Sequence, residues 1–291
     1  MSTQIQPESD FPTKENIEET IAVINSRSHS FQPKIGIILG TGLSGMGTQL
    51  DATPAPTVIP YSDIPHFARS TVQGHAGNLI LGNINGVPVI CMQGRFHYYE
   101  GWSMKQITYP VRVFAFLGVK ILIVSNAAGC LIKEWKVGDI GLITDHIGFQ
   151  GATPLMGPNK DFFPPHSVRF PDMMNCYDAN LREEVKKTSE KMGVLLREGV
   201  YCAMAGPSFE TSAEHEMLRR VGGHFVGMST VPEVIIARHS GLRVIGFSVM
   251  TNMAVKDGVS DHNAISDVGK AAGDILIPLL REALPPIVKH I

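Results

Sequence analysis

Two stretches of this chain concentrate side chains able to do chemistry. They are Ala205-Gly206-Pro207-Ser208-Phe209-Glu210 and, a short distance on, Val226-Gly227-Met228-Ser229-Thr230-Val231-Pro232-Glu233-Val234. Each follows an apolar segment, residues 200–204 and 224–228, and breaks off into a turn or a helix opened by proline. The ends of adjacent parallel strands are where open α/β sheets hold ligands. A carboxylate, a ring, a thioether and hydroxyls gathered there suit a small, flat, partly polar molecule.

Four further segments carry groups for an anion. Gly40-Thr41-Gly42 follows a buried strand and offers N–H groups and a hydroxyl, although a short glycine turn in that position is more often only a turn. In Gly94-Arg95-Phe96-His97-Tyr98-Tyr99-Glu100-Gly101 the alternation of Arg95, His97 and Tyr99 predicts three polar groups on one face of an extended segment, with the arginine as a fork for phosphate. Gly74-His75-Ala76-Gly77 sets a histidine among glycines. Ser125-Asn126-Ala127-Ala128-Gly129 follows an apolar strand with small residues that let a ligand reach the main chain.

The elements that must position these groups alternate along the chain. Thr13 is placed to cap a helix with Ile17, Ile21 and Ile24 on one stripe, and residues 34–39 read as a buried strand. Residues 79–84 and 87–92, joined by Asn85-Gly86, form a hairpin pattern. Ser103 and Gln106 make a capping box for a helix with Ile107, Val111, Phe114 and Leu117. Strands are expected at 121–125, 140–144, 200–204, 225–228 and 244–250, and helices at 178–192, 212–221, 232–239 and 266–283. This order predicts one α/β domain over residues 1–291, with a mixed, largely parallel central sheet flanked by helices and a flexible lead at 1–12. Residues 151–170, rich in Gly, Pro and aromatics, read as a binding or interface loop.

Composition excludes several classes. With 44% hydrophobic and 18% charged residues, 291 residues can bury a full core, and a formal net charge of −2 with no basic run argues against nucleic acid as a partner. There is no leader-like or membrane-length apolar run, so the expected location is cytoplasmic. Cys91, Cys130, Cys176 and Cys202 lack the spacing of a zinc site or disulfide framework, and no His-Glu-x-x-His pattern occurs; no metal is expected.

Gly-Arg-Phe-His, Asn-Ala-Ala-Gly, Gly-Pro-Ser-Phe-Glu, Gly-Met-Ser-Thr-Val-Pro-Glu-Val and Thr251-Asn252, in this order, resemble the trimeric purine nucleoside phosphorylase family, over about residues 34–257. The resemblance implies a homotrimer that cleaves purine nucleosides with inorganic phosphate as co-substrate and no cofactor. It also implies that Thr41, His75, Arg95, His97, the Ala127 main chain and Ser229 hold phosphate. Tyr99 and Met228 would lie against the ribose, Glu210 and Asn252 would grip the purine, and Phe209 and Val226 would pack on its faces. Phe163 would arrive from a neighbouring subunit, and His262 is the candidate for the ribose 5′-hydroxyl. Asn252, Glu210 and His97 are the catalytic candidates.

The residue types fit that chemistry. Breaking a glycosidic bond builds cationic character on the sugar and negative charge on the departing base, so the site must serve both ends. An Asn252 NH2 suits a 6-oxo group, whereas relatives that act on 6-aminopurines usually place Asp there. The chain departs from the family pattern at Thr41, where serine is common, at Met253, where many relatives have lysine, and over residues 256–268. The other readings are a methylthioadenosine phosphorylase, a non-catalytic purine-binding protein on the same scaffold and a metal-dependent hydrolase.

Overall fold

Thr13 caps the first helix through a reciprocal box in which the Thr13 hydroxyl accepts from the Asn16 N–H and the Asn16 side chain accepts from the Thr13 N–H. The helix, α1 (Lys14–Ser28), buries Ile17 and Ile24. It opens a computed structural model that describes residues 12–40, 45, 49–71, 76–157, 168–254 and 262–291. Strand β1 (Ile35–Ile38) follows, wholly buried. A short strand, β2 (Thr57–Pro60), then lies at the sheet edge. No strand is expected at β2 from the sequence, and its half-exposed pattern ends in proline, a residue tolerated at edges. Strands β3 (Asn78–Ile84) and β4 (Val87–Gln93) form the expected hairpin, with Ile84 opposite Val87. Its turn residues Asn85 and Gly86 both have positive φ, 47° and 73°, which is why Asn-Gly stands there.

The Ser103–Gln106 box opens α2 (Met104–Phe116). There follow β5 (Ile121–Cys130), β6 (Ile140–Gly148), α3 (Ala179–Met192), β7 (Leu196–Ala203) and α4 (Ser212–Arg220). Then come β8 (Phe225–Gly227), α5 (Val231–His239), β9 (Arg243–Met253) and α6 (His262–Val288). The last helix outruns its expected span at both ends.

The strands run β2-β3-β4-β1-β5-β8-β7-β6-β9, and β9 returns to pair with β5. The sheet is mixed, as expected, but an open sheet describes only its first half. Strands β5, β8, β7, β6 and β9 close on one another, so the site lies at the rim of a closed ring and not in the crevice of an open sheet. Strand β1 shows the layering. Ile35 and Ile37 join a cluster with Leu181 and Val185 of α3 and Leu276, Leu279 and Leu280 of α6, while Ile38 joins Ile17, Ile24, Phe114, Val234 and Ile236 of α1, α2 and α5. Helices therefore cover both faces, which buries the central strands on both sides.

The expected flexible lead lies outside the described residues up to residue 11, as do Thr41, His75 and Phe163. Among the described residues no helix is long and apolar enough to cross a membrane.

Candidate active site

Where β1 ends, Gly40 lies so close to β5 that a Cβ would sit 2.7 Å from both the Asn126 Cα and the Ser125 carbonyl oxygen. Only glycine admits that approach. It sets the end of β1 beside the middle of β5, on the wall of a cavity of about 450 Å³. The cavity is lined by Arg95, His97 and Tyr99 after β4, by Asn126, Ala127, Ala128 and Gly129 of β5, and by Pro207, Phe209 and Glu210 after β7. Val226, Gly227, Met228 and Ser229 at β8, Thr251 and Asn252 of β9, and Ile265 of α6 complete it. The described site residues named from sequence thus meet in one space, with His262 on the backbone of α6.

Arg95 is 1% exposed. Its Nε donates to Glu233 Oε1 at 2.9 Å, its Nη2 to Glu233 Oε2 at 3.2 Å, and its Nη1 to the Ser125 carbonyl. This fork-on-fork pair holds the guanidinium plane fixed at the cavity wall. Glu233 sits in the first turn of α5, 138 residues away in sequence. No role for Glu233 is expected from the sequence, where its one local signal is an acid near a helix N-terminus.

The extended face expected for Arg95, His97 and Tyr99 is not what forms. Tyr98–Glu100 is a single 3₁₀ turn, because Glu100 folds back to accept from the His97 N–H at 2.7 Å. The turn swings the Tyr99 ring over the His97 ring, stacked at 4.7 Å and 18°, and both still face the cavity. Glu100 Oε2 also accepts from the Thr71 N–H and hydroxyl at 2.6 and 2.7 Å. Burial pushes the Glu100 carboxyl up, but these donors and His97 outweigh it and bring it down to about 2. His97 Nδ1 lies 3.2 Å from Glu100 Oε1. Burial lowers the His97 pKa, and the Glu100 hydrogen bond works against that shift. Burial raises Tyr99 to about 12, so it keeps its proton.

Ser229 lies between β8 and α5. Its N–H donates to the Tyr201 hydroxyl at 3.3 Å and its Oγ is 3.0 Å from Thr230 Oγ1. Met228 packs its sulfur under Gly206, where a Cβ would meet it at 2.4 Å.

Glu210 and Asn252 face the cavity from two directions. Glu210 Oε2 is 3.6 Å from His215 Nε2, while its Oε1 is buried without a hydrogen-bond partner among the described residues. The Asn252 oxygen accepts from the Thr251 hydroxyl at 3.3 Å, which turns the amide nitrogen to the other side. Val226 is buried at the wall and Phe209 is 44% exposed at the mouth. The arrangement offers cationic and hydroxyl donors for an anion together with an acceptor and an amide for a polar ring.

Residues 34–285 match the family described as the Phosphorylase superfamily. Purine nucleoside phosphorylase 1 of Bacillus subtilis (strain 168) is 48% identical over 257 residues, spanning 88% of this chain and 92% of that protein. Purine nucleoside phosphorylase of Rattus norvegicus is 48% identical over 273 residues, spanning 89% and 92%. The crystal structure of Schistosoma mansoni purine nucleoside phosphorylase in complex with adenosine matches with a TM-score of 0.87 at 39% identity, covering 94% of this chain and 97% of that one. The chain belongs to the phosphorylase superfamily and, within it, to the purine nucleoside phosphorylases, a family of enzymes.

Proposed function

We propose that the cavity cleaves the N-glycosidic bond of 6-oxopurine nucleosides and deoxynucleosides, with inorganic phosphate as nucleophile and no cofactor or metal. The products are the free base and (deoxy)ribose 1-phosphate, a purine salvage reaction. The observation that carries this reading is one cavity holding Arg95, His97 and Ser229 together with Glu210 and Asn252.

Phosphate is held by Arg95, His97, Ser229 and the Ala127 main chain, with Thr41 and His75 as further ligands. It is both the attacking oxygen and the anion that stabilises the cationic sugar. As the C1′–N9 bond lengthens, its electron pair moves to the purine. The Asn252 NH2 stabilises that charge at the O6/N7 edge, and Glu210 accepts from the ring N1–H. Tyr99 and Met228 pack on the ribose, Phe209 and Val226 on the base, and His262 serves the 5′-hydroxyl. The test is release of hypoxanthine from inosine with and without phosphate. Dependence on phosphate supports the reading, and equal release without it overturns it in favour of hydrolysis.

The proposed assembly is a homotrimer in which Phe163 of a neighbouring subunit covers the sugar. Apolar exposure near that segment supports an interface there: Met156 is 62%, Met174 79% and Phe170 85% exposed. A cytoplasmic location is proposed with it, supported by four free, buried cysteines. Light scattering at assay concentration tests the trimer, and a fully active monomer rules it out.

A further inference from the structure

Thr230 is a non-glycine residue with φ 73° and ψ −55°, and the Val231 N–H donates to the Ser229 carbonyl at 2.8 Å. Those angles and that bond define the rare γ-turn of positive φ, a strained conformation for a β-branched residue. Strain of this kind persists only where the surroundings fix it. Here the fixing group is Asn126, 2% exposed, whose Nδ2 donates to Thr230 Oγ1 at 2.9 Å. Thr230 Oγ1 lies in turn 3.0 Å from Ser229 Oγ. Thr230 is 1% exposed, so water does not compete for its hydroxyl.

The chemistry gives this chain of groups a direction. An amide nitrogen can only donate, so Thr230 Oγ1 accepts from Asn126 and has one proton of its own to give. Given to Ser229 Oγ, that proton leaves the Ser229 hydroxyl to donate onward. The same turn starts α5, since the Thr230 carbonyl accepts from the Val234 N–H at 3.0 Å, and α5 carries the Glu233 that clamps Arg95.

We infer that Asn126 and Thr230 are positioning residues for the anion end of the cavity, forming a polarised relay that points the Ser229 proton at bound phosphate. This rests on the proposal that Ser229 holds phosphate. Neither residue touches phosphate in it; both act through Ser229.

The test is steady-state kinetics with phosphate varied at saturating inosine and inosine varied at saturating phosphate. Thr230→Val keeps the β-branch and removes the relay, and it should raise the phosphate KM by about 10-fold, part of the value of a hydrogen bond to a charged group, with the inosine KM within about twofold. Thr230→Ser keeps the hydroxyl and recovers most of that loss. In a Ser229→Ala background, itself raised in phosphate KM, Thr230→Val should change the phosphate KM less than about twofold, because the relay has no end. Should Thr230→Val not fold by circular dichroism, Asn126→Ala carries the same comparison. The inference is overturned if the relay variant leaves the phosphate KM at the wild-type value, shifts both KM values alike, or keeps its full effect in the Ser229→Ala background. If Ser229→Ala alone leaves the phosphate KM unchanged, the assignment of Ser229 to phosphate fails, and the inference with it.

Discussion

Arg95 and Glu233 form a doubly hydrogen-bonded ion pair at 2.9 and 3.2 Å with both side chains at most 5% exposed. The pair joins the segment after β4 to α5 and presents a rigid guanidinium to the cavity. A buried pair adds little over an apolar substitute, but removing one partner strands a charge. Glu233→Ala is therefore expected to lower stability by about 3–5 kcal/mol in urea denaturation and to raise the phosphate KM. A loss under about 1 kcal/mol, the scale of an exposed pair, would show that Arg95 is held by other means.

His97 and Glu100 give a pH dependence of defined sign. Glu100, held at about 2, is ionised and can only accept, so His97 Nδ1 is the donor between them. In the proposed phosphate site the ring is left to meet the anion through Nε2, which donates only when the imidazole is protonated. Burial keeps His97 below its ordinary 6.5, so anion binding at neutral pH takes up a proton. Sulfate, whose own charge is constant there, should inhibit competitively against phosphate with a Ki that rises from about pH 6 to about pH 8. Glu100→Gln removes a group that raises His97, so the rise should move to lower pH. A flat Ki in the wild type would show that His97 does not meet the anion. Stability runs the opposite way for His97, because folding disfavours the protonated ring that the anion requires. The unfolded ring binds a proton near 6.5 and the folded one resists, so stability is full above that value and falls as pH drops toward the folded pKa.

Inside the strand ring, Gly141 of β6 lies under the fully buried Phe225 of β8, where a Cβ would meet the ring at 2.5 Å. The same ring is 3.0 Å from a Cβ placed on Gly199 of β7. Gly141→Ala must push Phe225, and with it Val226 of β8 and the following Met228 and Ser229. Overpacking of this kind costs about 1–3 kcal/mol. Thermal unfolding should show the loss and the inosine KM should rise; an unchanged melting temperature would mean the ring has room to tilt.

Local signals were legible in the sequence because a few adjacent residues determine them. The Thr13 cap, the Ser103 box and the Asn85-Gly86 turn are examples. The cavity wall was legible as far as its residues fall in short runs after apolar segments. Closure of β9 onto β5 was not, since a strand's partner leaves no mark on its own hydrophobic pattern. Nor was the 3₁₀ turn at Tyr98–Glu100, where Glu100 overrides an alternation that reads as a strand. Glu233 and Asn126 stand in the right motifs, yet their roles arise from contacts 138 and 104 residues apart, which no local spacing encodes.

The base end yields the sharpest expectation. Glu210 Oε1 is a buried acceptor without a partner among the described residues, a state that costs free energy until a donor arrives. In the proposed reaction that donor is a purine N1–H, which 6-oxopurines carry and adenine does not. Asn252 adds to the choice, because the Thr251 hydroxyl engages its oxygen and turns its NH2 away from that contact. A 6-oxo group accepts from that NH2; an exocyclic amine meets donor with donor. An unpaired buried group costs about 1–3 kcal/mol, so inosine should exceed adenosine in kcat/KM by roughly 5-fold to 150-fold. Asn252→Asp exchanges donor for acceptor at nearly constant volume. Its activity on inosine should fall and its adenosine-to-inosine ratio should rise, and Glu210→Gln, which puts an amide opposite N1–H, should lower inosine kcat/KM. Competition assays with the two nucleosides read the wild type and both variants. Equal wild-type use of adenosine and inosine, or an unchanged ratio in Asn252→Asp, would show that Asn252 does not read the 6-position.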